Sequence, residues 1–139
     1  MKSSSTVATP AEPGSGASAA AGAPTNIGRR GRRARRALGL AALTAGVLLA
    51  VGLAVAGAPR ASRLIVAPLF FMAGLGLFQA RAGVCVALAA RRLDSSDDGA
   101  PRLIADGGTC DLFALRARAV YRSASLLTVA LTLAALALP

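Results

Sequence analysis

The chain has 139 residues, of which 55% are hydrophobic and 16% are charged, and its formal net charge is +10. A soluble domain carries about 25% charged residues, and here the charges sit in blocks between apolar runs, which favours a membrane protein. The chain contains no histidine, which excludes histidine-based catalysis and histidine-ligated metal. Two cysteines are too few for a disulfide framework.

The N-terminal segment, residues 1–25, consists largely of serine, alanine, proline and glycine. Such a composition buries too little apolar surface to offset the entropy that is lost when a chain becomes ordered. The segment is therefore predicted to be a disordered cytoplasmic tail.

Six arginines directly precede a long apolar run. The run, residues 38–58, has no charged residue and would span roughly 31 Å as a helix at about 1.5 Å per residue. A bilayer core is about 30 Å thick, so the run predicts a transmembrane helix, anchored by the arginines on anionic lipid head groups. Because this placement explains the basic charge, no nucleic-acid partner is predicted. The arginines are Arg29, Arg30, Arg32, Arg33, Arg35 and Arg36.

A cleaved signal peptide is the alternative interpretation of residues 1–58, because Ala56-Gly57-Ala58 fits a small-residue cleavage site. However, 37 residues would precede the apolar run, and the run exceeds the usual length of about 7–15 residues for a signal peptide. A retained transmembrane helix is therefore preferred.

A second apolar segment, residues 64–90, follows a connection, residues 59–63, that is short enough to join only antiparallel neighbours. The two segments predict a transmembrane helical hairpin. As one helix, the second segment would be about 40 Å long, which exceeds the bilayer core. Either this helix tilts, or the span ends near residues 79–81 and residues 82–90 lie at the interface.

The C-terminal third of the chain predicts one more helix. Residues 91–111 are polar and contain turn signals such as Gly107-Gly108, which predicts a cytoplasmic loop. Residues 112–122 have the apolar spacing of an amphipathic helix, and this helix is predicted to run on into a third transmembrane helix that ends at residue 138. The predicted fold class is all-α, an integral membrane helical hairpin plus a third C-terminal transmembrane helix.

The distribution of arginine predicts the orientation. The N-terminal flank carries six arginines and Lys2, and residues 91–122 carry six more, whereas residues 59–63 carry two. By the positive-inside rule, the N-terminus is cytoplasmic and the C-terminus lies outside. The predicted location is a bacterial inner membrane, crossed several times.

Small residues recur at four-residue spacing, which allows helices in a membrane to approach closely. Examples are Gly52 with Ala56, Gly76 with Ala80, and Gly83 with Ala87. The pattern predicts a packed hairpin and permits homo-oligomers.

Residues 26–39 read Asn-Ile-Gly-x-x-Gly-Arg-x-x-Arg-x-x-x-Gly, and residues 83–85 read Gly-Val-Cys. The chain in this respect resembles the YgaP-type small two-helix bacterial inner-membrane domain, a family of largely unknown function, over about residues 26–90. The chain departs from the family pattern where Gly31 replaces an aspartate and where Val86 and Leu88 replace a proline and a tyrosine. The matching positions near the N-terminus are Asn26, Ile27, Gly28, Arg32, Arg35 and Gly39.

Three residues are candidates for a specific role. Arg81 interrupts the second apolar segment, and a charged residue inside a span is a functional candidate by default. The simpler interpretation is that Arg81 marks the cytoplasmic end of the span, together with Arg91 and Arg92. Cys85 and Cys110 are candidates for redox chemistry, although a cysteine in an apolar run is more often a small buried hydrophobe.

Neither a catalytic residue nor a metal site nor a cofactor is predicted, because no nucleophile–base pair or ligand cluster is recognisable. The predicted function is therefore that of a small multi-pass inner-membrane protein without catalytic activity, a structural or accessory subunit. A homo-oligomeric channel or carrier and a cysteine-based redox membrane protein are the alternatives. The predicted partners are the lipid bilayer and either further copies of the chain or a larger membrane complex.

Overall fold

A computed structural model describes residues 24–96 and 99–138. Most of the predicted disordered tail, residues 1–25, lies outside the described residues. The elements in chain order are α1 (Arg29–Val55), a 3-10 helix (Arg60–Val66), α2 (Ala67–Ala82), α3 (Val86–Ala90), β1 (Leu93–Asp94), β2 (Arg102–Leu103) and α4 (Gly107–Ala137).

Three helical segments are long and apolar enough to cross a membrane. They are α1, the 3-10 helix continued by α2, and α4. The predicted fold class, all-α with three candidate transmembrane helices, is confirmed.

The first helix extends beyond the predicted span at its N-terminal end. It starts at Arg29 and includes all six arginines, because arginine is a good helix former and residues 29–37 contain no proline. It ends at Val55, where Gly57 adopts a φ of 65°. The amide of Ala58 donates to the carbonyl of Leu53 at 3.0 Å, which closes the turn that commonly ends a helix at a left-handed glycine.

The second apolar segment is divided rather than continuous. α2 ends at Ala82 because Gly83 takes a left-handed conformation with a φ of 66°, and residues 86–90 form the separate helix α3. Cys85 caps α3, since its Sγ accepts a hydrogen bond from the amide of Leu88 at 3.5 Å. The 27-residue helix that the apolar pattern allowed is therefore absent from the described structure.

The fourth helix starts at Gly107, earlier than the predicted residue 112, because Asp106 caps it. The Asp106 carboxylate accepts hydrogen bonds from the amide and the hydroxyl of Thr109 at 2.7 and 2.6 Å. These hydrogen bonds lower the pKa of Asp106. The predicted loop also contains the antiparallel pair β1–β2, in which Leu93 lies opposite Leu103.

The helices approach one another closely at glycines, with α2 packed against both α1 and α4. A Cβ atom on Gly76 would lie 2.8 Å from the Cα atom of Gly39 in α1. A Cβ atom on Gly74 would lie 3.0 Å from the Cα atom of Ala124 in α4. On the same side of α2, the rings of Phe71 and Tyr121 meet edge to face with centroids 5.3 Å apart.

Candidate functional site

Most of the described arginines gather at one end of the helix bundle. This arginine-rich end contains the start of α1, the end of α2, the short elements α3, β1 and β2, and the start of α4. Backbone hydrogen bonds join these parts, from Gly28 N to Ser95 O and from Ser95 N to Asn26 O, both at 3.0 Å. Arg116 of α4 donates to the carbonyl of Pro24 at 2.6 Å. Among the described residues, Arg60 and Arg63 lie at the other end, and Arg122 lies near the middle of α4.

Asn26 connects the chain before α1 to the turn after α2. Its side chain is fully buried, and its Oδ1 accepts a hydrogen bond from the amide of Cys85 at 2.7 Å. Its Nδ2 donates to the carbonyl of Cys85 at 3.4 Å, and its own amide donates to the carbonyl of Gly83 at 3.1 Å. The two segments that carry the family resemblance are thus in direct contact.

Arg35 and Gln79 form a polar pair between α1 and α2. The Nη1 atom of Arg35 donates to the Oε1 atom of Gln79 at 2.8 Å, and Gln79 is buried. Among the described residues, the buried Nε atom of Arg35 has no hydrogen-bond partner. The pair thus holds one guanidinium group between the helices. Arg35 lies one helical turn before Gly39, which contacts Gly76.

A groove of about 560 Å³ separates the first turns of α1 from the last turn of α2. Five guanidinium groups lie around it, and its described lining contains no carboxylate. In addition, α1 has no acidic residue in its first turn and no side-chain cap, so the partial positive charge of its N-terminus is not neutralised there. We call this feature the arginine groove. It is lined by Arg29, Arg32, Arg33, Arg36, Leu77, Ala80 and Arg81.

The candidate residue Arg81 lies in the last turn of α2, where its side chain is exposed and lines the arginine groove. Arg91 and Arg92 are also exposed, in the turn between α3 and β1. They are not part of the groove lining. The structure therefore brings Arg81 together with the arginines of α1 and leaves Arg91 and Arg92 apart from them.

The two cysteines occupy different environments, and both are free thiols. Cys85 is 2% exposed and is enclosed by the Asn26 hydrogen bonds and the start of α3. Cys110 lies in the first turn of α4, where its thiol donates to the carbonyl of Ile104 at 3.8 Å. The structure shows no disulfide between them.

Arg63 is a buried residue that the sequence pattern did not single out. It is 3% exposed, and its Nη1 atom donates to the carbonyl of Leu138 at 2.6 Å and to that of Ala135 at 3.3 Å. A cation at the C-terminus of a helix neutralises the partial negative charge of the last carbonyl groups. In the sequence, only its position between two apolar runs could have indicated that Arg63 is buried. Arg60 has the same position but is exposed, so position alone does not distinguish the two residues.

Residues 24–96 and 99–138 contain no group of three or more histidine, cysteine, aspartate or glutamate side chains that could hold a metal ion. A second cavity, of about 230 Å³, lies between α3 and α4 and has mainly apolar walls. Arg118 and Tyr121 are the polar residues at its edge.

Three long apolar helices with a strongly basic end define the class of this chain, a small membrane protein. A scan against protein-family models, a search of curated proteins and a search of solved structures each return no match to the chain.

Proposed function

We propose that the chain is a multi-pass protein of a bacterial inner membrane that acts as a structural or accessory subunit, without catalytic activity. The observation that carries the proposal is the outward face of α1. The inward face of this helix packs through Gly39, Gly46 and Ala50, whereas large aliphatic side chains on the other face are exposed. The exposed residues include Leu40, Val47, Leu48, Val51 and Val55.

An apolar helix face of this kind is stable only against lipid or against another apolar helix. Because membrane helices associate through close packing, the face is suited to a partner helix as well as to acyl chains. In this proposal, the partner helix belongs to another subunit of a membrane complex. In the alternative, it belongs to a second copy of the chain, as in a homo-oligomeric channel or carrier.

Site-directed cross-linking tests this role. In a variant in which both native cysteines are serine, Leu48→Cys places a thiol on the exposed face, and a photoactivatable thiol reagent attached there captures what contacts it in native membranes. We expect an adduct with a different membrane protein. An adduct of twice the mass of the chain would instead support the homo-oligomer, and lipid adducts alone would contradict both. Val120→Cys, at a buried position in α4, is the matched control and should give no adduct with protein.

The proposed orientation places the arginine-rich end in the cytoplasm and the C-terminus outside. It is supported by the gathering of most described arginines at one end, since positively charged residues are retained on the cytoplasmic side. A C-terminal alkaline phosphatase fusion is expected to be active and the corresponding green fluorescent protein fusion to be dark. The opposite pair of results would overturn the proposed topology.

The relation to the YgaP-type domain stays a prediction. It is supported by the matching residues in positions 26–39 and 83–85. Within this proposal, the contact between Asn26 and Cys85 gives a physical reason for both motifs, because a buried asparagine can satisfy the backbone of a tight turn that no secondary structure satisfies.

A further inference from the structure

We infer that the arginine groove is a binding site for the phosphates of an anionic phospholipid, and that the ligand is of the cardiolipin class, with two phosphates in one head group. The inference deepens the proposed function and rests on it in one respect, namely that the groove faces the cytoplasmic leaflet. The site combines residues from two helices, because α1 supplies four arginines and α2 supplies Arg81.

The charge of the groove favours an anion as its ligand. Arg29, Arg32 and Arg36 follow one another at intervals of three and four residues and therefore share one face of α1. Five positive charges around one cavity repel one another, and the described lining offers no carboxylate to offset them. By contrast, the neighbouring Arg35 already donates to Gln79. The five arginines that line the groove remain available to a ligand.

The chemistry of these groups favours phosphate. A guanidinium group presents two parallel N–H donors that match two phosphate oxygens, and such charged hydrogen bonds are stronger than neutral ones. The N-terminus of α1 adds its partial positive charge beside the same cavity. Both features recognise an oxyanion with several accepting oxygens.

The position of the groove favours a lipid over a soluble phosphate. The uncharged run of α1 begins immediately after Arg36, so the groove lies at the level where the apolar part of the bundle meets its basic end. Leu77 and Ala80 provide an apolar wall on α2, along which an acyl chain can pass towards the bilayer. Basic pockets between helices on the cytoplasmic side are the usual sites for such head groups.

The size of the groove favours a head group with more than one phosphate. Its volume of about 560 Å³ lies within the range of roughly 300–1,000 Å³ that holds whole small ligands. A single phosphate would fill only a small part of this volume, and it would leave several of the five guanidinium groups without a phosphate partner.

The test compares two triple variants that lose the same number of positive charges. Arg33→Gln/Arg36→Gln/Arg81→Gln removes exposed arginines of the groove. The control is Arg91→Gln/Arg118→Gln/Arg122→Gln, which removes exposed arginines outside it. Circular dichroism verifies that both variants keep their helix content in detergent, and a fluorescent cardiolipin analogue in mixed micelles reports binding.

We expect the groove variant to weaken cardiolipin binding by about tenfold or more, and the control variant to weaken it by less than about threefold. Phosphatidylglycerol, with one phosphate, should bind more weakly than cardiolipin to the native chain. An equal loss of cardiolipin binding in both variants would overturn the inference. It would show that the lipid responds to the total positive charge of the surface and not to the groove. If inorganic pyrophosphate displaced the lipid when both were present at equal concentration, this result would overturn the assignment to a lipid. The fusion experiment on topology is independent of these results, so the two proposals can fail separately.

Discussion

The side chain of Asn26, which precedes α1, is hydrogen-bonded to both backbone groups of Cys85, which follows α2. These residues are 59 positions apart in the chain, and both are almost fully buried. Their contact fixes where the two helices of the hairpin begin and end relative to each other.

Replacing Asn26 by alanine should destabilise the hairpin. The amide of Cys85 would lose its partner in a buried position, which costs roughly 1–3 kcal/mol of the free energy of unfolding. Denaturant unfolding in detergent measures the effect. Ser96→Ala is the control, because its hydroxyl makes an exposed hydrogen bond to Asp94, and we expect a change below about 0.5 kcal/mol. Equal stability of Asn26→Ala and the native chain would contradict the role of the contact.

Alanine at Gly76 should separate α1 from α2. The new Cβ atom would lie 2.7 Å from the carbonyl oxygen of Arg35, and neither this backbone atom nor Gly39 can move without shifting a helix. Overpacking of this kind typically costs about 1–3 kcal/mol. In contrast, a Cβ atom at Gly52 meets nothing within 4 Å, so Gly52→Ala should be neutral or slightly stabilising. Thermal unfolding of both variants checks the prediction, which fails if they behave alike.

Arg63→Met should loosen the C-terminal end of α4. The carbonyl groups of Ala135 and Leu138 would lose a charged donor, and hydrogen bonds to charged groups contribute roughly 1.5–3 kcal/mol. Amide hydrogen exchange in the last turn of α4 should therefore accelerate by about tenfold or more. The exposed Arg60 gives the control, since Arg60→Met should leave exchange in this turn unchanged.

The thiol groups should differ in reactivity towards maleimide in the folded state. Cys85 is 2% exposed, whereas Cys110 is partly exposed in the first turn of α4. We expect Cys110 to be labelled and Cys85 to be protected until the chain is unfolded. Mass spectrometry of the labelled chain separates the two sites, and Cys110→Ser isolates the signal of Cys85. Rapid labelling of Cys85 in the folded chain would contradict its burial and would reopen the redox alternative.

The start of α4 should depend on pH through Asp106. Because hydrogen bonds from Thr109 lower the pKa of Asp106 below its unfolded-chain value of 3.8, the carboxylate stabilises the helix start above that value. This stabilisation is lost as the pH falls through the lower folded-state pKa. The amide proton shift of Thr109, measured by nuclear magnetic resonance, should titrate below pH 3.8. In Asp106→Asn the titration should disappear.

Small-residue spacing illustrates why a sequence pattern indicates packing but does not locate it. Gly76 and Gly52 are each followed by an alanine four residues later, yet Gly76 lies in the contact between α1 and α2, while Gly52 faces open space. The difference comes from which face of each helix meets a neighbour. Periodicity within one helix carries no information about that choice.

The sequence by itself determined the three apolar helices and the concentration of arginine next to them, because helix length and charge are local properties measured against the thickness of a bilayer. Only the tertiary structure decided that the second apolar segment stops at Gly83 and that Arg63 reaches the end of α4. It alone also brought Arg81 beside the arginines of α1 to form a groove. These features arise from contacts between residues that are distant in the chain, and the helix periodicities do not encode them.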